Sequence, residues 1–417
     1  LVAKAARADL IRRSSYYAAD PLITPPISVN MLLDLHDTGK RIVADAGAIR
    51  TPTQLLISGR DFVVEHEPQH RFFENLGAVT KERHILPGFL HDTLGESDRA
   101  PVMSKVRSFI EARFAEPVVA PGSTDADRIG YTRDEMDRVA SPVPTFSARG
   151  LYWASARLNL AIGGLLSKGI RLGQETGFDS GSTLDYVYEN EARGAGPIGR
   201  FVDRTYLDAI GWRGIRQRKI NLQELIGEAM QRLQAEDLPV RVMDIAAGHG
   251  RYVLDAIAQS PVAAQSILLR DYSDLNVEAG ARLIAGRGLT SMARFERGDA
   301  FDAASLAAVE PKPTLGIVSG LYELFPDNTL VGRSLSGLAD AIAPGGYLVY
   351  TGQPWHPQLE FIARVLTSHR GGDAWLMRRR TQGEMDALVE AAGFRKVAQR
   401  IDPWGIFTVS IARRIAT

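Results

Sequence analysis

Apolar positions along the chain fall into blocks of different period. Within residues 1–116, "VNMLLDLHDTGKRIVADA" and "PQHRFFENLG" carry apolar residues at helical spacing, whereas "TPTQLLISGRD" and "KERHILPGF" are short apolar runs that end in turns. The first pair predicts helices and the second buried strands, followed by a closing amphipathic helix in "APVMSKVRSFIEARF". Residues 117–145 are rich in Pro, Ser, Gly and Asp and read as a linker with one short helix, for which "TRDE" offers a capping box. Residues 146–236 are helical in pattern, broken at "GFDSGST" and "GAGPIG". Over residues 237–417 the pattern becomes strand, glycine turn, helix, repeated, which predicts an α/β doubly wound parallel sheet. The last segment, "FRKVAQRIDPWGIFTVSIARR", is two alternating runs around a Pro-Trp-Gly turn and predicts an antiparallel hairpin at the sheet's edge.

At 417 residues the chain is too long for one ordinary domain. Basic and acidic residues both number 49, so no net field draws nucleic acid or a membrane, and any basic site must be local. The absence of cysteine excludes disulfides, thiolate metal sites and cysteine nucleophiles, and suits a reducing, cytoplasmic location. No metal-ligand pattern stands out, so no metal is expected, and no apolar run is long enough to span a bilayer. The chain opens on Leu1 in a stretch, "LVAKAARADLIRRSSYY", that reads like the interior of a protein; it is expected to be the tail of a longer one.

The densest chemistry lies in "VRVMDIAAGHGRYVLDAIA", where an apolar strand meets a small-residue turn with Gly248 and Gly250 and a helix follows. Such a turn lets backbone approach a ligand and offers free N–H groups at the helix start. Alone it would serve a dinucleotide, S-adenosylmethionine or no ligand at all. Asp244, before the glycines, would repel a pyrophosphate and suit an ammonium group. The third glycine of the dinucleotide fingerprint is replaced by Val253. A second strand ends in Asp271-Tyr272, where an acidic residue can accept from ribose hydroxyls of either cofactor. A third ends in Gly298-Asp299-Ala300, where a carboxylate can accept from an adenine amine or simply be a solvated turn. A fourth opens into Ser319, Gly320, Leu321, Tyr322 and Glu323, facing the crevice.

The pieces "DIAAGHG", "RDYS", "GDA", "APGGYL" and the terminal hairpin, in that order, resemble a class I S-adenosylmethionine-dependent methyltransferase. The resemblance implies S-adenosylmethionine as cofactor, with Asp244, Ala246, Gly248 and Gly250 on the methionine side, Asp271 and Tyr272 at the ribose, Asp299 and Ala300 at the adenine, and Ser319 beside them. "SGLYE" replaces the family's Asn-Pro-Pro-Tyr pattern, so methylation of nucleobase amines is not supported, and nucleic acid is not an expected partner. Displacement at a sulfonium needs mainly an aligned acceptor, plus a base when that acceptor carries a proton. Tyr322, Glu323 and His249 are the candidates for that base; stacking, helix capping and turn fixing are their respective alternatives.

The helical block reads as a lid that builds the pocket for a small-molecule or lipid-like acceptor, with Tyr186, Trp212, Arg213 and Arg216 as candidate contacts. The basic cluster in "GWRGIRQRK" would clamp a phosphate or carboxylate, or form a solvated face. In residues 1–116, two strand ends deliver Asp61 and then His91, the acid and base order of an α/β-hydrolase. No Gly-x-Ser-x-Gly elbow occurs in the chain, so no hydrolysis is expected from it alone. Together, "SGRDFVV", "HDTLGE", "GFDSG", "GWRGIRQRK" and "DIAAGHGRY" resemble a bacterial bifunctional α/β-hydrolase/class I methyltransferase fusion family. Ester hydrolysis and nicotinamide-dependent oxidoreduction are the alternative activities.

Overall fold

The computed structural model describes residues 28–116 and 123–415. The chain divides into two compact units, Leu1–Pro121 and Gly122–Thr417. In the first, α1 (Val29–Asp45), β1 (Thr53–Ser58), α2 (His66–Asn75), β2 (Lys81–Leu86) and α3 (Ala100–Phe114) follow the predicted order. Strands β1 and β2 pair in parallel, Thr53 opposite Lys81 and Ser58 opposite Leu86, so both carboxyl ends lie on one side. The chain leaving β1 carries Asp61. The chain leaving β2 turns through Pro87-Gly88, with φ +85° at the glycine, and carries His91.

The second unit begins with α4 (Tyr131–Ala140) and a helical block of α5 (Ala148–Leu166), α6 (Lys168–Thr176), α7 (Gly181–Glu189) and α8 (Gly196–Leu207). Serines start three of these helices: Ser147, Ser167 and Ser180 accept from Gly150, Ile170 and Thr183 N–H groups. The long α9 (Ile210–Ala235) leads into β3 (Arg241–Asp244), α10 (Arg251–Gln259), β4 (Ser266–Asp271), α11 (Asp274–Gly286), β5 (Ala293–Arg297), α12 (Ala303–Ala307), β6 (Leu315–Val318), α13 (Asn328–Ala341) and β7 (Tyr347–Gly352). Then come α14 (Leu359–Val365), α15 (Gln382–Ala391), β8 (Phe394–Ile401) and β9 (Thr408–Arg414).

These seven strands form one sheet in the order β5-β4-β3-β6-β7-β9-β8, parallel except for β9. The terminal hairpin is present, with β9 inserted beside β7. Strand order reverses at β3, which lies between β4 and β6, and a crevice opens there at the carboxyl edge. On one face, α9 contributes Leu222, Leu225, Ile226, Ala229 and Leu233, a stripe at spacings of three and four, packed with α10. On the other face, α13 and α15 cover Met243, Val318 and Leu348.

The segment 117–145, expected as a linker, differs over its described part. Asp127 accepts from the Asn328 N–H at 2.8 Å, and residues from 123 on belong to the second compact unit. Helix α4 also lacks the expected capping box. It starts after Gly130, at φ +124°, and Thr132 sits in the first turn, buried. Asp127 and Thr132 are buried by this attachment, while most of the segment's other polar residues are exposed. Arg378, fully buried, binds Glu384 at 2.6 Å and donates to Thr132 at 3.0 Å and Asn328 at 2.9 Å. Glu384→Ala would leave a buried cation without its carboxylate. The expected loss is about 3–5 kcal/mol of stability, read from the urea midpoint of the second unit.

Candidate functional site

The carboxyl edge of the large sheet holds a cleft of ≈880 Å³. Its floor is the turn from Ile245 to Gly250, with Gly248 at φ +58° and Gly250 at φ +75°. A Cβ on Gly250 would fall 2.3 Å from the Leu269 Cδ1 in a left-handed backbone conformation, so any other residue there is strained and must displace the leucine. Gly248 donates its N–H to Asp271 at 2.9 Å, which ties the ends of β3 and β4 together. Asp271 also accepts from the Ser273 N–H and the Asn276 amide, both at 2.9 Å. Asp299, exposed beyond β5, accepts from the Phe301 N–H at 2.9 Å. Both carboxylates line the cleft beside Tyr272 and Ala300, and Ser319 adds a buried hydroxyl without a protein partner.

Two expected members of this set lie elsewhere. Asp244 is wholly buried beneath the turn, accepting from the Tyr252 hydroxyl and from the Ala246 N–H at 3.3 Å. It therefore shapes the turn and does not reach a ligand. Burial pushes its carboxyl up to about 7, against the hydrogen bonds from Tyr252 and Ala246 that lower it. Tyr322 is 2% exposed and donates to Ser334 at 2.9 Å inside the core under α13. The short helical turn Tyr322–Leu324 points it away from the cleft and turns Glu323 toward an adjoining apolar cavity.

The opposite wall comes from the helical block. "GFDSGST" is the loop before α7 and its first turn. Asp179 accepts from Ser368 at 2.6 Å and from the His369 N–H at 2.6 Å. Asp185 on α7 receives Arg251, the first residue of α10, in a two-pronged pair at 2.5 and 2.8 Å. Burial would raise the Asp185 carboxyl, but Arg251 and His249 hold it well below the usual range. His249 is 3.4 Å from both Asp185 and Ser182, so it braces the wall while lining the cleft.

A second cavity of ≈430 Å³ adjoins the cleft. Its lining is mainly apolar, including Leu160, Phe201, Trp212, Phe361, Trp375 and Phe407. Asp179, Leu184, Arg218, Gly320 and Leu324 line both spaces. Gly320, at φ +69°, would carry a Cβ only 3.0 Å from Arg218. At this junction Arg218 and Glu323, both buried, approach to 3.5 Å, with Arg218 over the Phe407 ring at 4.8 Å. The Glu323 Oε2 and Arg218 Nε atoms are buried without protein partners. His356 also lines the cavity; burial lowers it to about 4, and Nδ1 accepts from the Gln358 N–H, leaving its proton on Nε2.

Of the residues expected to contact an acceptor, Trp212 lines this cavity. The other expected acceptor contacts do not. The Tyr186 hydroxyl donates to Asp203 within the helical block, Arg213 lies over Trp404 at 4.9 Å, and Arg216 donates to the Leu207 carbonyl at 2.8 Å. Of the basic cluster, Arg218 enters the site because 212, 215, 218, 222 and 225 form the buried stripe of α9. That spacing is visible in the sequence. The parts played by Asp179, Asp185, Asn276 and His369 depend on long-range folding.

In the first unit, His91 Nδ1 lies 3.1 Å from Asp61 Oδ2, with the imidazole half exposed. Desolvation raises the Asp61 carboxyl, but the Val63 and Val64 N–H groups and His91 outweigh it and hold it below its ordinary value. The two residues expected as acid and base thus lie within hydrogen-bond distance of each other.

Residues 106–414 match a family described as "Putative methyltransferase", and residues 7–98 match "Serine aminopeptidase, S33". The chain is 55% identical over 404 residues to the uncharacterized protein YnbC of Escherichia coli (strain K12), an alignment covering 97% of this chain and 69% of that protein. Among solved structures, a possible exported protein from Bordetella parapertussis aligns with a TM-score of 0.50 and 20% identity, over 72% of this chain and 100% of its own. That likeness is one of fold.

Two expectations follow from the site. Asp244 keeps its proton in the folded chain between about pH 4 and 7 and loses it in the unfolded chain, so its contribution to stability falls as pH rises through that window. Asp244→Asn keeps an acceptor for Tyr252, and its stability relative to wild type should climb by up to ~1.4 kcal/mol per pH unit there, measured by denaturation at successive pH values. Arg251→Met removes the wall's two-pronged pair; amide hydrogen exchange over residues 177–190 should accelerate roughly tenfold or more with the sheet strands unchanged.

Proposed function

Since the chain belongs to this methyltransferase family, we propose that its second unit transfers a methyl group from S-adenosylmethionine to a polar atom on a largely apolar small molecule. The observation that carries this reading is the junction: a cleft lined by carboxylates meets an apolar cavity at the buried Arg218–Glu323 pair. The cofactor supplies an activated methyl on a sulfonium. The residues present fit it. Asp271 and Asp299 sit at the ends of adjacent strands as acceptors for hydroxyl and amine donors, and the glycine turn lacks the third glycine of a pyrophosphate site. Ser319 offers an unpaired hydroxyl in the same wall.

The remaining work belongs to the chain's side chains. Trp212, Trp375 and Phe407 give flat apolar walls that exclude water and orient the acceptor's body. Glu323, with Oε2 free of protein donors and Arg218 3.5 Å from Oε1, is placed to accept a hydroxyl proton at the junction. His356, neutral by burial, offers an Nε2–H for a second polar group of the acceptor.

A second reading concerns the first unit. Its assembled Asp61–His91 pair favours ester or amide hydrolysis as the activity of that fold, with a serine nucleophile that these residues do not supply.

Calorimetry is expected to show binding of S-adenosylhomocysteine and not of NADH; the reverse would overturn the reading. Incubating the protein with labelled S-adenosylmethionine and a solvent extract of cells should move label into an extractable product. Glu323→Gln should slow that transfer roughly 10²-fold or more while leaving S-adenosylhomocysteine affinity little changed.

A further inference from the structure

Helix α5 presents an uncovered apolar face. Leu151, Leu158, Ile162 and Leu165 recur at intervals of seven, four and three, which places them on one side of the helix, and all four are exposed, Leu165 to 71%. They span roughly 21 Å at 1.5 Å per residue. The opposite side, with Trp153 and Gly164, is the one that packs inward.

Two further features lie close to this face. Residues 148–174 contain Arg149, Arg157, Lys168 and Arg171 and no Asp or Glu, in a chain whose total charge is zero. Arg149 pairs with Glu360 on α14 and Arg157 donates to the Arg364 carbonyl, both from the inward side of the helix, whereas the exposed Lys168 and Arg171 stand at the C-terminal end of the stripe, where Arg171 donates to the Leu165 carbonyl. The apolar cavity lies on the inward side of the same helix. Leu160 of α5 and Phe201 of α8 both line it, and Phe201 is 73% exposed, beside the exposed Arg200 and Ile198.

We propose that the α5 face, with the α8 rim, docks on an anionic lipid bilayer, and that the methyl acceptor passes from the bilayer into the apolar cavity between these helices. The second part rests on the reading of that cavity as the acceptor site. Leucine and isoleucine side chains enter the acyl boundary, and the arginine and lysine stems reach back to the headgroups. Charge complementarity selects an anionic surface over a second copy of the chain, since two such faces would bring like charges together. No helix among the described residues is long and apolar enough to cross a membrane, so the contact is peripheral.

The test is co-sedimentation of the whole chain with phosphatidylcholine vesicles, with and without phosphatidylglycerol. The expected result is sedimentation with the anionic vesicles, weakened by salt. The double variant Leu158→Glu/Ile162→Glu should lower partitioning roughly tenfold or more. Both side chains are exposed, so the melting temperature and S-adenosylhomocysteine affinity should hold. Equal sedimentation of wild type and variant, or none with either vesicle, overturns the proposal. A wild-type dimer that the variant converts to monomer overturns it too, in favour of a subunit contact. Vesicle binding without S-adenosylhomocysteine binding supports the docking face and overturns only the reading of the cleft; the converse overturns only the docking face.

Discussion

The pair between Arg251 and Asp185 joins two stretches of chain that each make half of a binding site. The sheet and its glycine turn supply a floor, and the helical block supplies the facing wall. Neither encloses a cleft alone. Asp185 stands on α7, Arg251 opens α10, and their two-pronged contact fixes the wall over the turn. Asp179 repeats the device on the other side of the loop, through Ser368 and His369. Both acids are partly or fully desolvated, so their attraction is less screened than that of a surface pair. The site is therefore defined by the attachment of the block, and its width depends on two carboxylates.

Buried ionisable groups in this unit divide into two kinds. Arg378 and Glu384 are fully enclosed, and the arginine's remaining donors find Thr132, Asn328 and the Pro326 carbonyl. A network closed in this way holds segments together and has nothing left to offer a ligand. Arg218 and Glu323 are enclosed almost as well, yet meet at 3.5 Å and leave one nitrogen and one oxygen unpartnered. Unpaired buried polar atoms are costly, and they concentrate where a second molecule completes them. That contrast, within one domain, sets the junction apart from the structural pairs and supports the proposed acceptor site there.

Much of this was legible in the sequence because it is local. Strand, glycine turn and helix succeed one another within a few residues, so Gly248, Gly250, Asp271 and Asp299 could be placed from pattern. Direction within an element was harder. Asp244 closes a four-residue strand, and whether its side chain faces ligand or core depends on Tyr252, eight residues on. Tyr322 and Glu323 are neighbours in a single short turn, and only packing under α13 decides which one faces the cavity. Segment 123–145 read as a linker because Asp127 and Thr132, which attach it, meet Asn328 and Arg378, partners two hundred residues or more away. Arg218 was hidden among four basic residues, although its place in the α9 stripe distinguished it.

The same spacing argument accounts for α5. A helix with apolar residues on nearly every side reads as buried, and by composition alone α5 belongs in a core. The fold covers only one side of it. Overall neutrality hides the local charge: Glu360 balances Arg149, while among the described residues no carboxylate pairs with Lys168 or Arg171. An amphiphile dissolved in a bilayer would otherwise have to leave it for water before reaching a pocket walled by tryptophan and phenylalanine, at a cost proportional to its apolar surface. Docking the mouth of the cavity on the bilayer removes that step. The exposed stripe, the basic flank and the apolar cavity are then three consequences of one requirement, that the acceptor stay out of water along its whole path.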